Sequence, residues 1–294
     1  TLDMQQTANF HYRPTWDPEH ELFDATRTQL KMKDWYALKD PRQLYYGNYT
    51  QARARLQETA EADFEFVESR GLADRYDDAA RRIALDFYVP LRHAAWGANM
   101  NGAFMAAYGY GTAITQPCLY AAMDQLGIAQ YLSRLGLLLG QQGDLQAAKQ
   151  AWLEAPAWQG LRRLVEDSWV MKDWFELFVA QHLVFDGLLF GLAYKEVDAV
   201  LADQAGPTVS MLTRFQAEWF GDHVKWVDAV IKVAAAESAD NKALLSQWAA
   251  AWRARALEAL QPVAAIALGD KAPAALDRVA AALDARLKKA GLAL

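Results

Sequence analysis

The chain contains five histidines, the residues that most directly test for a metal centre in a helical protein. A di-iron carboxylate site in a four-helix bundle needs a Glu from each of two helices and a Glu-x-x-His from each of the other two. Residues three apart share one helix face, so both side chains of that motif reach the same metal pair. The residues three positions before the histidines are Ala8 before His11, Asp17 before His20, Pro90 before His93, Val179 before His182 and Phe220 before His223. No Glu-x-x-His occurs, so the sequence predicts that the chain holds no di-iron site.

Other catalytic and cofactor motifs are also missing from the sequence. Zinc needs three or four convergent ligands, and one cysteine with five dispersed histidines shows no recognisable spacing. Gly109-Tyr110-Gly111 lacks the later glycine of a dinucleotide turn and the Gly-Lys-Ser/Thr of a phosphate loop. Haem ligation by a single histidine leaves no sequence signal, although a structural histidine is the commoner case. We therefore expect no catalytic, cofactor-binding or metal-binding residue in this chain.

Two further side chains could still do chemistry. Asp186 is the one acid deep in an apolar helical segment. It could be a functional carboxylate, but a partner for a neighbouring arginine or amide is the favoured interpretation. Cys118 lies in the apolar stretch QPCLY, which favours a buried structural thiol over a nucleophile.

Composition limits the class of protein. The 294 residues are 53% hydrophobic, which is enough for a substantial core. A net charge of −6 without a concentrated basic surface argues against nucleic acid as a partner. The opening residues are polar and carry no apolar region typical of a signal peptide. A single cysteine fits a reducing cytoplasm, so we expect a cytoplasmic protein.

Residues 93–123 contain no Asp, Glu, Lys or Arg and are long enough to cross a bilayer. This stretch also carries Asn99, Asn101, Gln116 and Pro117, which a lipid-facing helix would not tolerate cheaply. A helix buried in a large bundle could carry these amides if each had a partner. The sequence therefore favours a buried helix and no membrane association.

Residues 1–48 differ from the rest of the chain in their prolines and aromatic side chains. The aromatic residues are Phe10, Tyr12, Trp16, Phe23, Trp35, Tyr36, Tyr45 and Tyr46. We expect an extended arm with one short helix that has Asp17 as its N-cap and Pro18 as its first residue. Something must cover the aromatic side chains, either the chain's own helices or a partner subunit. If the arm contacts a partner, deleting residues 1–48 should weaken assembly more than it unfolds the helices.

From residue 50 onward the pattern is helical, and no alternating strand pattern is long enough to build a sheet. The predicted helices are 50–71, 83–110 with a kink at Pro90, 112–139, 144–154, 161–201, 208–238, 241–267 and 274–290. Long helices without a heptad seam predict a large all-α bundle, with an arm at 1–48 and a helical domain at 49–294. Gly187 and Gly191 should let another helix approach closely. The chain has eleven tryptophans, and several of them mark helical faces. Core packing explains most of them, but aromatic residues are also enriched at interfaces, which favours a subunit of a larger assembly.

Three stretches of the sequence resemble the β subunit of bacterial multicomponent phenol hydroxylases. They are NFHYRP at 9–14 with WDP at 16–18, DPRQLYYG at 40–47 with QARAR at 51–55, and WQGLRR at 158–163 leading to DWFEL at 173–177. VPLRH at 89–93 and QYLSR at 130–134 look similar as well. The resemblance spans essentially the whole chain. The β subunits of toluene and methane monooxygenases are similar but weaker matches.

The resemblance implies a ferritin-like fold, related to that of ribonucleotide reductase, without iron ligands and without catalytic residues. In that family the di-iron centre lies in the α subunit, which hydroxylates arenes with dioxygen. A separate reductase with FAD and a 2Fe-2S cluster supplies electrons from NADH, and a small regulatory protein acts on the complex. The implied partners are the α subunit, a γ subunit and the second protomer of an α2β2γ2 assembly.

The favoured function is thus that of a non-catalytic β subunit of an NADH-dependent phenol 2-monooxygenase. The same role in a toluene or alkene monooxygenase is the alternative, and a free-standing helical metal or haem enzyme is a remote one. His93 and His223 lie on long helices with Pro90 and Phe220 where acids might stand. We hypothesise that they are remnants of an ancestral metal site or coincidences with one.

Overall fold

The computed structural model describes residues 15, 17–21 and 23–293, and every regular element in these residues is helical. The main helices are α1 (Tyr46–Ser69), α2 (Asp78–Tyr88), α3 (Leu91–Tyr108), α4 (Thr112–Leu139), α5 (Gln142–Glu154), α6 (Pro156–Trp169), α7 (Trp174–Ala205), α8 (Thr208–Leu212), α9 (Arg214–Glu237), α10 (Ala239–Leu268) and α11 (Ala272–Lys289). The predicted all-α architecture is therefore confirmed for the part of the chain that the structure describes.

Proline and glycine explain where the predicted helices divide. The helix predicted at 83–110 is two helices, because Pro90 lacks an N–H and stands between α2 and α3 as the N-cap of α3. The long segment predicted at 161–201 divides into α6 and α7, and Gly206 ends α7 with a φ of +81°. The helix predicted at 208–238 is interrupted at Thr213.

Helix α7 contains two π-helical segments, Val179–Phe185 and Leu192–Val197. A π turn closes hydrogen bonds between residues five apart and is frequent at functional sites. Helix α7 is also long and apolar enough to cross a membrane by length and composition alone. However, 83% of its most apolar window is buried inside the fold. It is therefore the core helix of the bundle.

The short helix predicted at Asp17 and Pro18 is wrong, because the described residues there form a turn. Asp17 accepts from Arg27 Nη1 at 2.5 Å and lies 2.9 Å from His20 Nδ1. The regular structure comes later, as the short 3-10 helices Ala25–Arg27 and Trp35–Ala37. Each begins at an aspartate whose side chain accepts the N–H two residues on, and this local bond fixes a single turn.

The described part of the N-terminal arm packs on the chain's own helices. Leu30 and Leu38 are fully buried in the core. Asn241 at the start of α10 holds the arm's backbone, donating to Lys31 O at 2.8 Å and accepting from Lys31 N at 3.2 Å. Phe10 and Tyr12 lie outside the described residues. Contact of those residues with a partner stays a prediction, as does the domain division at residue 48.

The charge-free stretch at 93–123 forms an antiparallel hairpin of α3 and α4. The turn passes through Gly111, which has a φ of +92°. The two helices approach at Gly102, where an added Cβ would lie only 2.8 Å from Ala122 Cβ. Asn99 donates to Ala122 O at 2.8 Å, so this amide has a partner, as predicted. Cys118 is completely buried beside this contact, and burial raises the pKa of its thiol, as expected for a structural cysteine.

Gly187 and Gly191 of α7 face helix α11. A Cβ at Gly191 would lie 3.0 Å from Val279 Cγ1, and one at Gly187 would lie 3.0 Å from Arg286 Nη1. Both distances are shorter than ordinary van der Waals contact between side chains. The predicted close helix approach at these glycines is confirmed.

Candidate functional site

Helices α7 and α9 bring two histidines and one aspartate together in the centre of the bundle. His182 Nδ1 lies 3.3 Å from Asp186 Oδ2, and His223 Nε2 lies 3.5 Å from the same oxygen. One potential ligand atom from each of the three residues lies within 4.8 Å of the others. The side chains are 1% exposed, so the cluster has no contact with bulk solvent. We call these three residues the His-Asp-His cluster.

The π turn of α7 places a second group against the carboxylate. Gln181 is five residues before Asp186, and its Nε2 donates to Asp186 Oδ1 at 2.8 Å. Residues five apart align in a π turn, whereas His182 has the four-residue spacing that an α-helix aligns. Both neighbours therefore reach one carboxylate from the same helix.

A chain of hydrogen bonds extends from this carboxylate to α3 and α6. Asn101 Nδ2 donates to Gln181 Oε1 at 2.8 Å and lies 2.8 Å from Ser168 Oγ. Ser168 Oγ donates to Val165 O at 2.6 Å. Asn101, Ser168 and Gln181 are all buried, so they form a polar network inside the bundle. Such a network fixes the orientation of the Asp186 side chain.

Opposing effects set the ionisation of the cluster. Burial raises the pKa of Asp186, but hydrogen bonding and charge interaction with the two histidines outweigh it, and the net pKa is lowered. Burial lowers the pKa of His223 to about 3, despite the neighbouring carboxylate. Asp186 is therefore an anion beside a neutral His223. Among the described residues, no lysine or arginine nitrogen lies within 4.0 Å of Asp186.

Aromatic rings enclose the cluster. His223 stacks on Trp219 with ring centroids 4.3 Å apart, and Trp226 lies 5.3 Å from the ring of His182. His182 Nε2 and His223 Nδ1 have no hydrogen-bond partner in the described part of the chain. The cluster thus combines a carboxylate charge with unpaired imidazole nitrogens in a low-dielectric surrounding.

A second buried carboxylate, Asp124 of α4, lies on the other side of Trp219. Arg53 Nε, Tyr49 Oη and Trp219 Nε1 each donate to it at 2.8 Å. Burial lowers the pKa of Arg53, but Asp124 outweighs that effect and raises it. Burial and the same carboxylate raise the pKa of the Tyr49 hydroxyl. Asp124 is therefore paired with a cation from its own chain.

The His-Asp-His cluster does not fit a di-iron centre. Such a centre in a bundle takes four carboxylates and two histidines, whereas the cluster has one carboxylate. Asp124 cannot complete the set, because it is occupied by Arg53. This geometry agrees with the absence of any Glu-x-x-His in the sequence.

The structure separates the two histidines that the sequence paired. His93 stacks on Trp152 of α5 with ring centroids 5.6 Å apart and is not part of the cluster. His223 instead packs against His182, with ring centroids 4.9 Å apart, and His182 has Val179 where a Glu-x-x-His motif has its acid. The His-x-x-x-Asp spacing of His182 and Asp186 was the available signal, since it places both on one helix face. The expected amide partner of Asp186 is confirmed as Gln181.

The fold and the sequence define the class of protein. The model of the methane/phenol/alkene hydroxylase family matches residues 16–238. The chain belongs to this family, and its fold is ferritin-like. The predicted resemblance to phenol hydroxylases is confirmed by sequence identities of 49% and 42% to two proteins of that kind.

The chain is 49% identical over 294 residues to the phenol 2-monooxygenase oxygenase component DmpL of Pseudomonas sp. strain CF600, covering 99% of this chain and 88% of that protein. It is 25% identical over 249 residues to the β subunit of the toluene-4-monooxygenase hydroxylase component of Ectopseudomonas mendocina, covering 83% and 76%. Its structure matches phenol hydroxylase from Pseudomonas sp. OX1 with a TM-score of 0.94 at 42% identity, covering 100% and 89% of the two chains. Toluene 4-monooxygenase matches with a TM-score of 0.77 at 24% identity over 82% and 81%, which supports the fold alone.

Proposed function

We propose that the chain is the non-catalytic β subunit of the hydroxylase component of a cytoplasmic, NADH-dependent phenol 2-monooxygenase. Identity of 49% to a phenol 2-monooxygenase component, against 25% to a toluene monooxygenase β subunit, favours phenol as the substrate class. In this proposal a partner α subunit holds the di-iron centre, and the assembly is α2β2γ2. A regulatory protein and a reductase with FAD and a 2Fe-2S cluster act on the complex.

The observation that carries this proposal is an exposed apolar surface on the α3–α4 hairpin. Its large side chains are each 40–46% exposed, and they are Trp96, Met100, Leu119, Met123 and Leu126. We call this surface the hairpin face. No Asp, Glu, Lys or Arg occurs from residue 94 to residue 123. Large apolar side chains exposed together on one helical hairpin are typical of a protein interface.

The hairpin face continues onto the end of α6. Trp169 contacts Trp96 edge-on, with ring centroids 5.6 Å apart, and the next residue, Val170, is 79% exposed. The outer side of the stretch at 93–123 is thus more exposed than the buried helix that the sequence predicted. We assign the α subunit to this face, because the relatives are components of multisubunit oxygenases.

Charged substitutions on the hairpin face test this assignment. We expect the double variant Met100→Lys/Met123→Lys, co-expressed with its partner subunits, to lose most of the α subunit on size-exclusion chromatography. Lysine would have to lose its hydration shell in an apolar interface. Phenol hydroxylation should fall in proportion to the remaining complex. The matched control is Phe66→Lys on α1, because Phe66 is as exposed as Met100 but lies outside the face. Normal assembly of the double variant would contradict the proposal.

Part of the arm packs in the core, so a deletion shorter than 1–48 is needed to test whether the N-terminus contacts a partner. Removing residues 1–48 would take Leu30 and Leu38 out of the core, so the helices would lose stability as well. Deletion of residues 1–14 leaves these contacts in place. If those residues contact the α subunit, the shorter deletion should weaken assembly while the thermal unfolding midpoint of the chain stays near that of the wild type.

A further inference from the structure

We propose that His182, Asp186 and His223 form a mononuclear site for a divalent transition-metal ion and that zinc is the ion it fits best. The site would be structural and separate from the di-iron centre of the α subunit. This inference goes beyond the proposed function, which requires no metal in this chain. It also departs from the expectation, drawn from the sequence, that the chain binds no metal.

The distances within the cluster are long for hydrogen bonds and close to those that a metal site needs. The two nitrogens lie 3.3 Å and 3.5 Å from Asp186 Oδ2, beyond the usual N–H···O range of about 2.7–3.2 Å. Zinc–ligand distances of about 2.0–2.1 Å in a tetrahedron separate neighbouring ligand atoms by about 3.4 Å. Two edges of the required triangle therefore already have the right length, and one ligand atom from each of the three residues lies within 4.8 Å of the others.

The two oxygens of Asp186 have different neighbours. Oδ1 accepts from Gln181, while Oδ2 is the atom that both histidines approach. Carboxylates that bind metals commonly have their second oxygen held by a neighbouring hydrogen bond, which orients the ligand. Asn101 holds Gln181 in turn, so the orienting network already exists.

The charge of the cluster also calls for a cation. Asp124 shows how this chain compensates a buried carboxylate, because Arg53 lies 2.8 Å from it. Asp186 has no arginine or lysine partner in the described residues, only two imidazoles and the Gln181 amide, although it is the more deeply buried of the two. A buried carboxylate is stabilised further by a cation bound directly to it. A divalent ion bound to one carboxylate and two neutral imidazoles would be such a cation.

Metal analysis of the assembled hydroxylase tests the proposal. The chain would be co-expressed with its partner subunits in zinc-supplemented medium, and zinc would be measured per β chain in the wild type, His223→Gln and Asp186→Asn. We expect the wild type to contain about one more equivalent than either variant, because each variant removes one of three ligands. The matched control is His93→Gln, which changes a largely buried histidine outside the cluster and should keep the zinc. Taking the difference between complexes removes any metal that the other subunits hold.

Two further measurements keep the test decisive. Gln181→Leu keeps all three ligands and should lower zinc affinity by about 10- to 100-fold, as loss of an orienting partner does. Cobalt substitution in the wild type should give visible absorption bands of a nitrogen- and oxygen-ligated ion, and His223→Gln should lack them. If the variants do not assemble, the zinc X-ray absorption spectrum of the wild type decides, because the site predicts scattering from two imidazole ligands.

Several outcomes would overturn the site. They are a wild-type complex without zinc, equal zinc in the wild type and both ligand variants, and a zinc X-ray absorption spectrum without imidazole scattering. Each would leave a His-Asp-His hydrogen-bonded network in its place. Assembly and phenol hydroxylation are read from the same samples. A normal, active complex without zinc in the β chain would therefore reject the metal site and leave the proposed function intact.

Discussion

Asp124 and Asp186 are two carboxylates buried in one helical bundle, and they differ in what surrounds them. Among the described residues, Asp124 has three donors at 2.8 Å, one of them a guanidinium. Asp186 has one amide donor at that distance and two imidazoles further away. Helix α9 joins the two regions, because Trp219 binds Asp124 and stacks on His223.

The difference shows two ways of keeping a charge in an apolar core. The Asp124 region is complete within the chain, so its contribution should depend only on protein contacts. The Asp186 region contains a ligand set whose charge needs a partner. Substitutions in the first region should therefore act on folding stability, while those in the second should act on metal content as well.

The largest effect is expected from Arg53→Met. This change leaves Asp124 buried without its cation and should lower the free energy of unfolding by about 3–5 kcal/mol. Chemical denaturation measures the loss, and adding Asp124→Leu should recover much of it. The control is Arg214→Met, whose side chain is 51% exposed and pairs with Glu218 at 2.8 Å. That pair should contribute no more than about 1 kcal/mol. Equal effects of the two substitutions would show that Asp124 does not depend on Arg53.

A smaller effect is expected from Tyr49→Phe. The substitution removes one hydrogen bond to a charged carboxylate, which is worth about 1.5–3 kcal/mol. Tyr76→Phe is the matched control, because the buried Tyr76 hydroxyl has no hydrogen-bond partner in the described residues. Its removal should leave the unfolding midpoint unchanged or raise it slightly. A cost for Tyr76→Phe as large as that for Tyr49→Phe would indicate that ring packing, and not the bond to Asp124, sets the result.

Ser168→Ala should cost about 1 kcal/mol, since it removes hydrogen bonds between neutral groups. Asn101 would keep its bond to Gln181, so Asp186 should stay oriented and the zinc content should not change. Ser133→Ala serves as the control, because its hydroxyl only bonds the carbonyl four residues earlier in the same helix. If Ser168→Ala lost metal, Ser168 would also belong to the network that orients Asp186 as a ligand.

A separate, pH-dependent effect concerns a histidine outside both regions. Burial, with a smaller contribution from Arg92 and Lys149, lowers the pKa of His93 from 6.5 to about 4. The folded state therefore favours the neutral imidazole. This contribution to stability is complete above pH 6.5 and is lost as the pH falls towards 4. His93→Gln should make the unfolding midpoint less sensitive to pH between 6.5 and 4. Identical pH profiles for the variant and the wild type would contradict the shift.

The sequence predicted most helices well because long apolar patterns and helix breakers are local features. Helix α4 spans the predicted residues 112–139, and Gly206 ends α7 as expected. The turn at Asp17 was mistaken for a helix start, since an aspartate followed by proline fits both. Local sequence patterns do not distinguish a turn from a helix start at this position.

The His-Asp-His cluster contains no Glu-x-x-His, so that motif does not reveal it. His182 and Asp186 share a helix face, but Gln181 joins them only because the π turn changes the helical period. His223 comes from another helix, and nothing local in the sequence says which histidine α7 will face. The hairpin face was missed for a similar reason, because absence of charge does not distinguish a buried side from an exposed apolar one.

The position of Cys118 gives this chain a built-in reporter of slow opening motions. It is the one cysteine in the sequence, it is completely buried, and its carbonyl lies 3.1 Å from where a Cβ on Gly102 would stand. A thiol reagent can reach it only when the packing around α4 opens. The rate of labelling therefore measures how often this part of the bundle opens. If the α subunit covers the hairpin face, that rate should fall when the complex forms.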